Sequence, residues 1–422
     1  MTPDNNLPTI HSDDFAPVYS VESPGRVYSF MPLTRRPTQK GPKGIYYDFN
    51  DGARILLPEG QWRVHLIDAE SGNLLFACET GAGWVISAKK FYIPFRLVVW
   101  DKSQTIPVLD YTLNLKDQPV LVKFPEGCNL GDLIGWFSYC ERFQQKHQCR
   151  LECLMDRKYI DLLAGQYPDL ALSTHGECQA AAPYATYQVG LFFDDPGLNH
   201  QPIDFRQAGL HRTAAYILGV DVTEAPPRLD LSAPRQIPEP YVCVAAKATS
   251  QAKFWNSGFG WDEVIAYLKQ LGYRVLCIDQ HRTVGHSFVW NHLPHGAEDI
   301  TGDIPLQERV NLLKDADLFI GLSSGLSWLA WTSGVPVILI SGFTLPNCEF
   351  YTPYRVFSKF GCAGCWNDLT IRFDLNDFLH CPRHQNTERQ FECTRLITAP
   401  QVIGHIDRLM ADRDLAAPTK FH

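Results

Sequence analysis

Five prolines fall within the fifteen residues 226–240 of this 422-residue chain. A segment this dense in proline can neither continue a helix nor pair as a central strand, so it reads as a linker. On each side of it the hydrophobic pattern alternates between short buried-strand runs and helical spacing. Before the linker, strands are expected at 119–124, 151–155 and 187–193, with helices at 130–137 (Leu130, Leu133, Ile134 and Phe137 at helical spacing), 157–166 and 205–218. After it, strands are expected at 241–245, 274–279, 318–322 and 335–341, with helices at 261–271, 306–316 and 326–333. Strand–helix alternation of this kind builds doubly wound α/β domains. Two of them joined by a hinge, 117–225 and 241–422, imply a ligand cleft between them.

The segment 41–116 is of a different kind. Aromatic and β-branched runs at 62–67, 74–78, 84–87 and 95–100 are separated by turn signals at 50–52, 58–60 and 71–73, which predicts a small β-rich domain. Residues 1–40 carry Pro, Asp, Ser and Thr without periodicity and are expected to form a mobile arm. A net charge of −8 and a pI near 6.0 argue against a general nucleic-acid binder, which needs clustered Lys and Arg. No run approaches the roughly 20 apolar residues of a membrane span, and the polar start lacks the basic and apolar regions of a signal peptide. The expectation is a cytoplasmic protein, in which thirteen cysteines are buried thiols or metal ligands rather than disulfides.

Three segments carry chemistry. In FPEGCNLGDLIGWF (124–137) a buried strand runs through a glycine-containing loop into a helix, with Asp132 just past the turn. A carboxylate there suits a general base taking a proton from an acceptor hydroxyl, and equally suits a helix-start acid placed by the dipole. After the strand at 241–245, Lys247 and Lys253 are rival candidates to neutralise a diphosphate, each with a solvated surface amine as the bland alternative. In IGLSSGLSWLAW (320–331) a buried strand runs straight into Ser323, Ser324 and Gly325 and then an apolar helix. The free N–H groups of Ser324, Gly325 and Leu326 at that helix start would receive phosphate, with a serine N-cap as the alternative.

The sharpest spacing comes near the end. Cys362-Ala-Gly-Cys365 is followed after fifteen residues by Cys381 and after eleven more by Cys393. A Cys-x-x-Cys knuckle with two further thiolates suits tetrahedral zinc or iron, and spacing does not separate the two. His380 and His384 flank Cys381 as second-rank ligands. A closed four-thiolate site within 360–395 is expected to be structural, since a catalytic metal keeps an open position.

These residues, together with YYDFNDGARILLPEG (46–60), YATYQVGL (184–191), QAKFWN (251–256) and CPRHQNTERQFECTRLI (381–397), resemble the bacterial autotransporter heptosyltransferase family over nearly the whole chain. The resemblance implies a GT-B glycosyltransferase that moves heptose from ADP-glycero-manno-heptose to serines of an autotransporter adhesin passenger. It implies Asp132 as catalytic base and Lys253 as the diphosphate contact, which decides between the two lysines. It further implies iron on Cys362, Cys365, Cys381 and Cys393, a β-rich domain serving acceptor docking or assembly, and a ring-like homo-oligomer, a dodecamer. A lipopolysaccharide-core heptosyltransferase and a non-catalytic metal-stabilised scaffold are the rival functions.

Overall fold

The computed structural model describes residues 36–178, 182–358 and 360–415, with 34, 417, 418 and the backbone of a two-strand ladder, Val21–Ser23 with Arg26–Tyr28. The arm expected over 1–40 lies largely outside the described residues.

Beyond that ladder, the described residues of the first half form two sheets. Strands β1 (Tyr46–Asn50), β2 (Arg54–Leu57), β3 (Trp62–Asp68), β4 (Leu74–Thr80), β5 (Gly83–Ile86), β6 (Phe95–Asp101) and β7 (Leu109–Thr112) come first. Then follow β8 (Pro119–Lys123), α1 (Leu130–His147), β9 (Arg150–Leu154), α2 (Arg157–Leu163), β10 (Ala171–Ser173) and β11 (Ala185–Gln188). One sheet, in the order β7-β6-β3-β4, is antiparallel throughout. The other runs β10-β9-β8-β11-β1-β2-β5, parallel from β10 to β1 and antiparallel beyond. The segment 41–116 thus supplies one sheet of its own and also extends the sheet of 117–225. Strands β8 and β9 are almost wholly buried, as central parallel strands covered on both faces must be.

The second half is a six-stranded, all-parallel sheet. Its elements are β12 (Tyr241–Ala245), α5 (Gly260–Gln270), β13 (Arg274–Cys277), β14 (Glu298–Asp299), α6 (Leu306–Leu313), β15 (Leu318–Leu322), α7 (Gly325–Thr332), β16 (Val337–Ile340) and β17 (Arg355–Val356). The order β14-β13-β12-β15-β16-β17 reverses direction between β12 and β15. Ligands in such sheets bind at the carboxyl ends of the strands where the order reverses. Along β12, Val242 and Val244 pack in one apolar cluster, and Tyr241, Cys243 and Ala245 in the other, so both faces are covered. A terminal helix, Ala399–Asp412, starts on a capping box of Thr398 and Gln401 and packs on α5, β16 and β17.

Two expected elements differ. The helix expected over 205–218 is two helices, α3 (Phe205–Ala208) and α4 (Leu210–Leu218), broken at Gly209 with φ +92°. A Cβ there would lie 2.0 Å from the Asn347 carbonyl oxygen of the other half, so the approach of that loop enforces both glycine and break. The strand expected over 187–193 stops at Gln188, and Leu191 and Phe193 instead turn into the cleft.

Candidate active site

The carboxyl ends of the two parallel sheets face one cavity of about 800 Å³. Its first-half wall is the loop 127–132 with Leu191 and Phe193; its second-half wall is formed by the turns after β12, β13, β15 and β16.

On the first wall, Asp132 sits in the first turn of α1, partly exposed, and Asn129 Nδ2 donates to its Oδ2 at 3.3 Å. The loop before it is fixed by Tyr159, whose hydroxyl donates to the Cys128 carbonyl at 2.7 Å. The same residue is therefore a helix-start acid and a cavity-lining carboxylate.

Facing it, α7 begins at the β15 turn. Ser324 is the N-cap by position, but its side chain makes no capping bond, and Oγ is buried without a hydrogen-bond partner among the described residues. Capping therefore does not account for this hydroxyl. First-turn amides of a helix lack intrahelical acceptors, so the start of α7 presents N–H donors together with an uncommitted hydroxyl at the cavity wall. Just before it, Ser323 Oγ donates to Glu349 Oε1, which also accepts from Thr344 Oγ1 at 2.6 Å, while Arg355 Nη1 donates to Oε2 at 2.7 Å. Glu349 is buried and Arg355 nearly so, with side chains 4% and 9% exposed.

The two lysines differ. Lys247 donates through Nζ to the His292 carbonyl, and burial draws its pKa down. Its backbone N–H and that of Ala246 donate to Asp279, a buried acid at the end of β13 whose pKa burial raises. Lys253 closes a 3-10 turn, Gln251–Lys253, on the cavity wall. That turn is anchored twice: Gln251 N–H donates to the Phe378 carbonyl at 2.9 Å, and its side-chain oxygen accepts from Asn291 Nδ2 at 2.7 Å. Lys247 thus belongs to the scaffold of the strand ends, whereas Lys253 rides on a turn held by the cysteine-bearing segment and the hairpin Val284–His286/Val289–Asn291.

The walls meet through glycine. A Cβ on Gly131 would lie 2.8 Å from Trp328 Cδ1, and one on Gly325 2.8 Å from Leu130 Cβ and 3.1 Å from the Gly131 nitrogen. The starts of α1 and α7 touch, bringing Asp132 and the Ser324–Leu326 turn to one place.

The four spaced cysteines are all reduced; Cys365, Cys381 and Cys393 are buried and Cys362 partly so. The Cys362 and Cys365 thiols lie within electrostatic range of one another, and the Cys393 thiol within range of the other three. Cys381 Sγ accepts the Phe391 N–H at 3.5 Å. Burial pushes the Cys365 and Cys393 thiols up to about 12. The donors are soft and convergent, which suits iron or zinc in kind. Among the described residues, however, no group of three or more His, Cys, Asp or Glu closes to metal-holding geometry. His380, the second-rank ligand, packs edge-on against Phe373 instead, with ring centroids 5.2 Å apart.

Sequence reasoning missed Glu349, Thr344, Arg355 and Asp279. Each is a polar residue buried at or near a strand end, where no periodicity marks it. It also missed Trp366 and Phe373, which line the cavity from the cysteine segment.

Two α/β halves whose parallel strands end on one shared cavity make a GT-B-like fold, the class to which the molecule belongs. The family models agree: residues 41–103 match "Glycosyltransferase TibC, N-terminal domain" and residues 206–359 match "Glycosyltransferase family 9 (heptosyltransferase)". The autotransporter heptosyltransferase TibC of Escherichia coli O78:H11 is 62% identical over 88% of this chain and 91% of its own length. A solved structure, the dodecameric iron-containing heptosyltransferase TibC in complex with ADP-D-β-D-heptose, superposes with a TM-score of 0.88 at 60% identity, covering 90% of this chain and 99% of that one. The chain belongs to the autotransporter heptosyltransferase family. That family also contains the inactive autotransporter heptosyltransferase BimC of Burkholderia thailandensis, 41% identical over 88% of both chains.

Proposed function

We propose that this chain transfers heptose from ADP-heptose to serine hydroxyls of an autotransporter passenger, with inversion at the anomeric carbon. The observation that carries the reading is the contact of α1 and α7, which puts a carboxylate and a phosphate-type helix start on one cavity. Asp132 takes the serine proton; the serine oxygen forms the new bond to the anomeric carbon as the bond from that carbon to the diphosphate oxygen breaks. The electron pair leaves with ADP, whose added charge is met by Lys253, the Ser324 hydroxyl and the Gly325 and Leu326 amides. The products are heptosylserine and ADP.

Cys362, Cys365, Cys381 and Cys393 would hold an iron ion, whose contribution when bound is to cross-link the segment 360–395. Support comes from the convergence of the thiols and from the iron-containing relative. That segment anchors the Lys253 turn through the Gln251–Phe378 bond, so the ion acts on the site from outside it. A dodecameric assembly follows the same relative. Action in the cytoplasm is part of this reading; no described helix is long and apolar enough to cross a membrane.

The existence of an inactive relative makes a non-catalytic scaffold the second reading. Intact-mass spectrometry of a co-expressed passenger, in a host that makes ADP-heptose, decides between them. Heptose-sized increments with the wild type and none with Asp132→Ala, which should still bind ADP, are expected. Increments that persist in Asp132→Ala would remove it as base, and an unmodified passenger with the wild type would favour the scaffold.

A further inference from the structure

The hydroxyls around the start of α7 can be told apart by counting protons. An ionised carboxylate only accepts, so every hydroxyl bonded to Glu349 must spend its hydrogen there. Ser323 Oγ and Thr344 Oγ1 both donate to Glu349 Oε1, and Thr344 in turn can accept from Ser341 Oγ at 2.7 Å. Arg355 meets the other oxygen and also donates through Nη2 to the Thr344 carbonyl at 3.1 Å. Ser323 therefore has no proton left for a phosphate oxygen, although it lines the cavity. Ser324, one residue on, keeps its own proton: its Oγ is buried, caps nothing and has no partner among the described residues.

We infer that Glu349 is a positioning residue that grips Ser323 so that the Ser324 hydroxyl and the first amides of α7 face the donor diphosphate. The role rests on the donor-site reading above. A negative charge behind an anion site would weaken binding if left bare. Arg355, paired with it at 2.7 Å, cancels that charge while leaving the acceptor oxygen in place. The turn is also sensitive to small rotations, because Gly325 already stands against Leu130 and Gly131 and has no room to shift toward them.

The test is ADP binding by calorimetry, with thermal unfolding in parallel, on the full-length protein and its Ser323→Ala, Ser323→Thr, Glu349→Gln, Ser324→Ala and Ser323→Ala/Glu349→Gln variants. Ser323→Ala and Glu349→Gln should each weaken ADP binding roughly tenfold, as expected for a charge-assisted hydrogen bond. The double variant should be no weaker than the worse single, since Ser323→Ala removes, and Glu349→Gln strips the charge from, the same bond. Ser323→Thr, which restores the hydroxyl, should rescue, and Ser324→Ala should weaken binding with no shift in Tm. If Glu349→Gln fails to fold, Ser323→Ala and its threonine rescue decide alone. Unchanged ADP affinity in Ser323→Ala, or additive losses in the double variant, would overturn the positioning role while leaving the donor site standing. No ADP binding by the wild type would remove both.

Discussion

His147, in the last turn of α1, has a buried Nε2 without a hydrogen-bond partner among the described residues and lies between Tyr92 and Phe143, at ring distances of 4.8 and 4.6 Å. Burial, helped by the charge of Lys146, lowers its pKa from 6.5 to about 4. The unfolded chain binds this proton more readily than the folded one, so stability rises with pH across that interval. It is lost as pH falls from about 6.5 towards 4, by roughly 3 kcal/mol at full shift and about 2 kcal/mol once solvent screening of this partly exposed ring is allowed for. His147→Phe, which keeps the ring contacts, should flatten the acid side of the Tm–pH profile; an unchanged slope would remove His147 as a contributor. Lys253→Ala makes a different prediction: loss of one cation at a developing phosphate charge should cost roughly 10²-fold in kcat with little change in Tm. Turnover equal to the wild type would assign that charge to Lys247 instead. The placement of Asp132, Lys253 and Ser324 on the cavity was legible because each stands at a junction that follows a buried strand, where the strand ends open onto the cleft. Glu349 was not. It sits in LPNCEF (345–350), and the serine it holds, Ser323, is 26 residues away in sequence; only folding shows that its charge is matched by Arg355.

At the scale of elements, strands with unbroken apolar runs were legible to within a residue or two: the expected 241–245 and 318–322 are Tyr241–Ala245 and Leu318–Leu322. Burial on both faces leaves a central parallel strand no other composition. The errors lie where one half meets the other. The periodicity of 205–218 is helical throughout, and it is the Asn347 carbonyl, more than a hundred residues away, that breaks the helix at Gly209. Gly209→Ala would face both a positive φ and a 2.0 Å contact with that oxygen. A loss of several kcal/mol in unfolding free energy is expected, from strain and forced displacement together; a variant as stable as the wild type would mean that the loop carrying Asn347 yields freely. The sheet joining β1 to β11 was also illegible, because the runs that marked 41–116 as β-rich leave out β1 and β2, and a strand pattern does not name its partner.

Across the whole molecule, the cysteine segment ties several parts together. Asn367, two residues past Cys365, donates to the Arg206 carbonyl of the first half at 2.7 Å and accepts the Leu345 N–H at 2.8 Å, while Phe378 holds the Lys253 turn. Replacing Cys381 with serine should therefore lower bound iron, measured by elemental analysis, and lower Tm. It should also weaken ADP binding although no cysteine of the set lines the cavity. Full iron occupancy in that variant would remove Cys381 from the ligand set. The spacing of these thiols was legible, but their effect on a turn more than a hundred residues earlier in the chain was not. The contact of Gly131 with Trp328 and of Gly325 with Leu130 would serve as a fulcrum if one half turned against the other. Points near a fulcrum barely travel when the arms swing. Rotation of one half against the other would open or shut the distant rim, admitting a passenger or releasing ADP, while the span from Asp132 to the Ser324 turn changes little. The machinery for the chemistry would then remain assembled at every stage of the swing, and turnover would be governed by traffic at the rim.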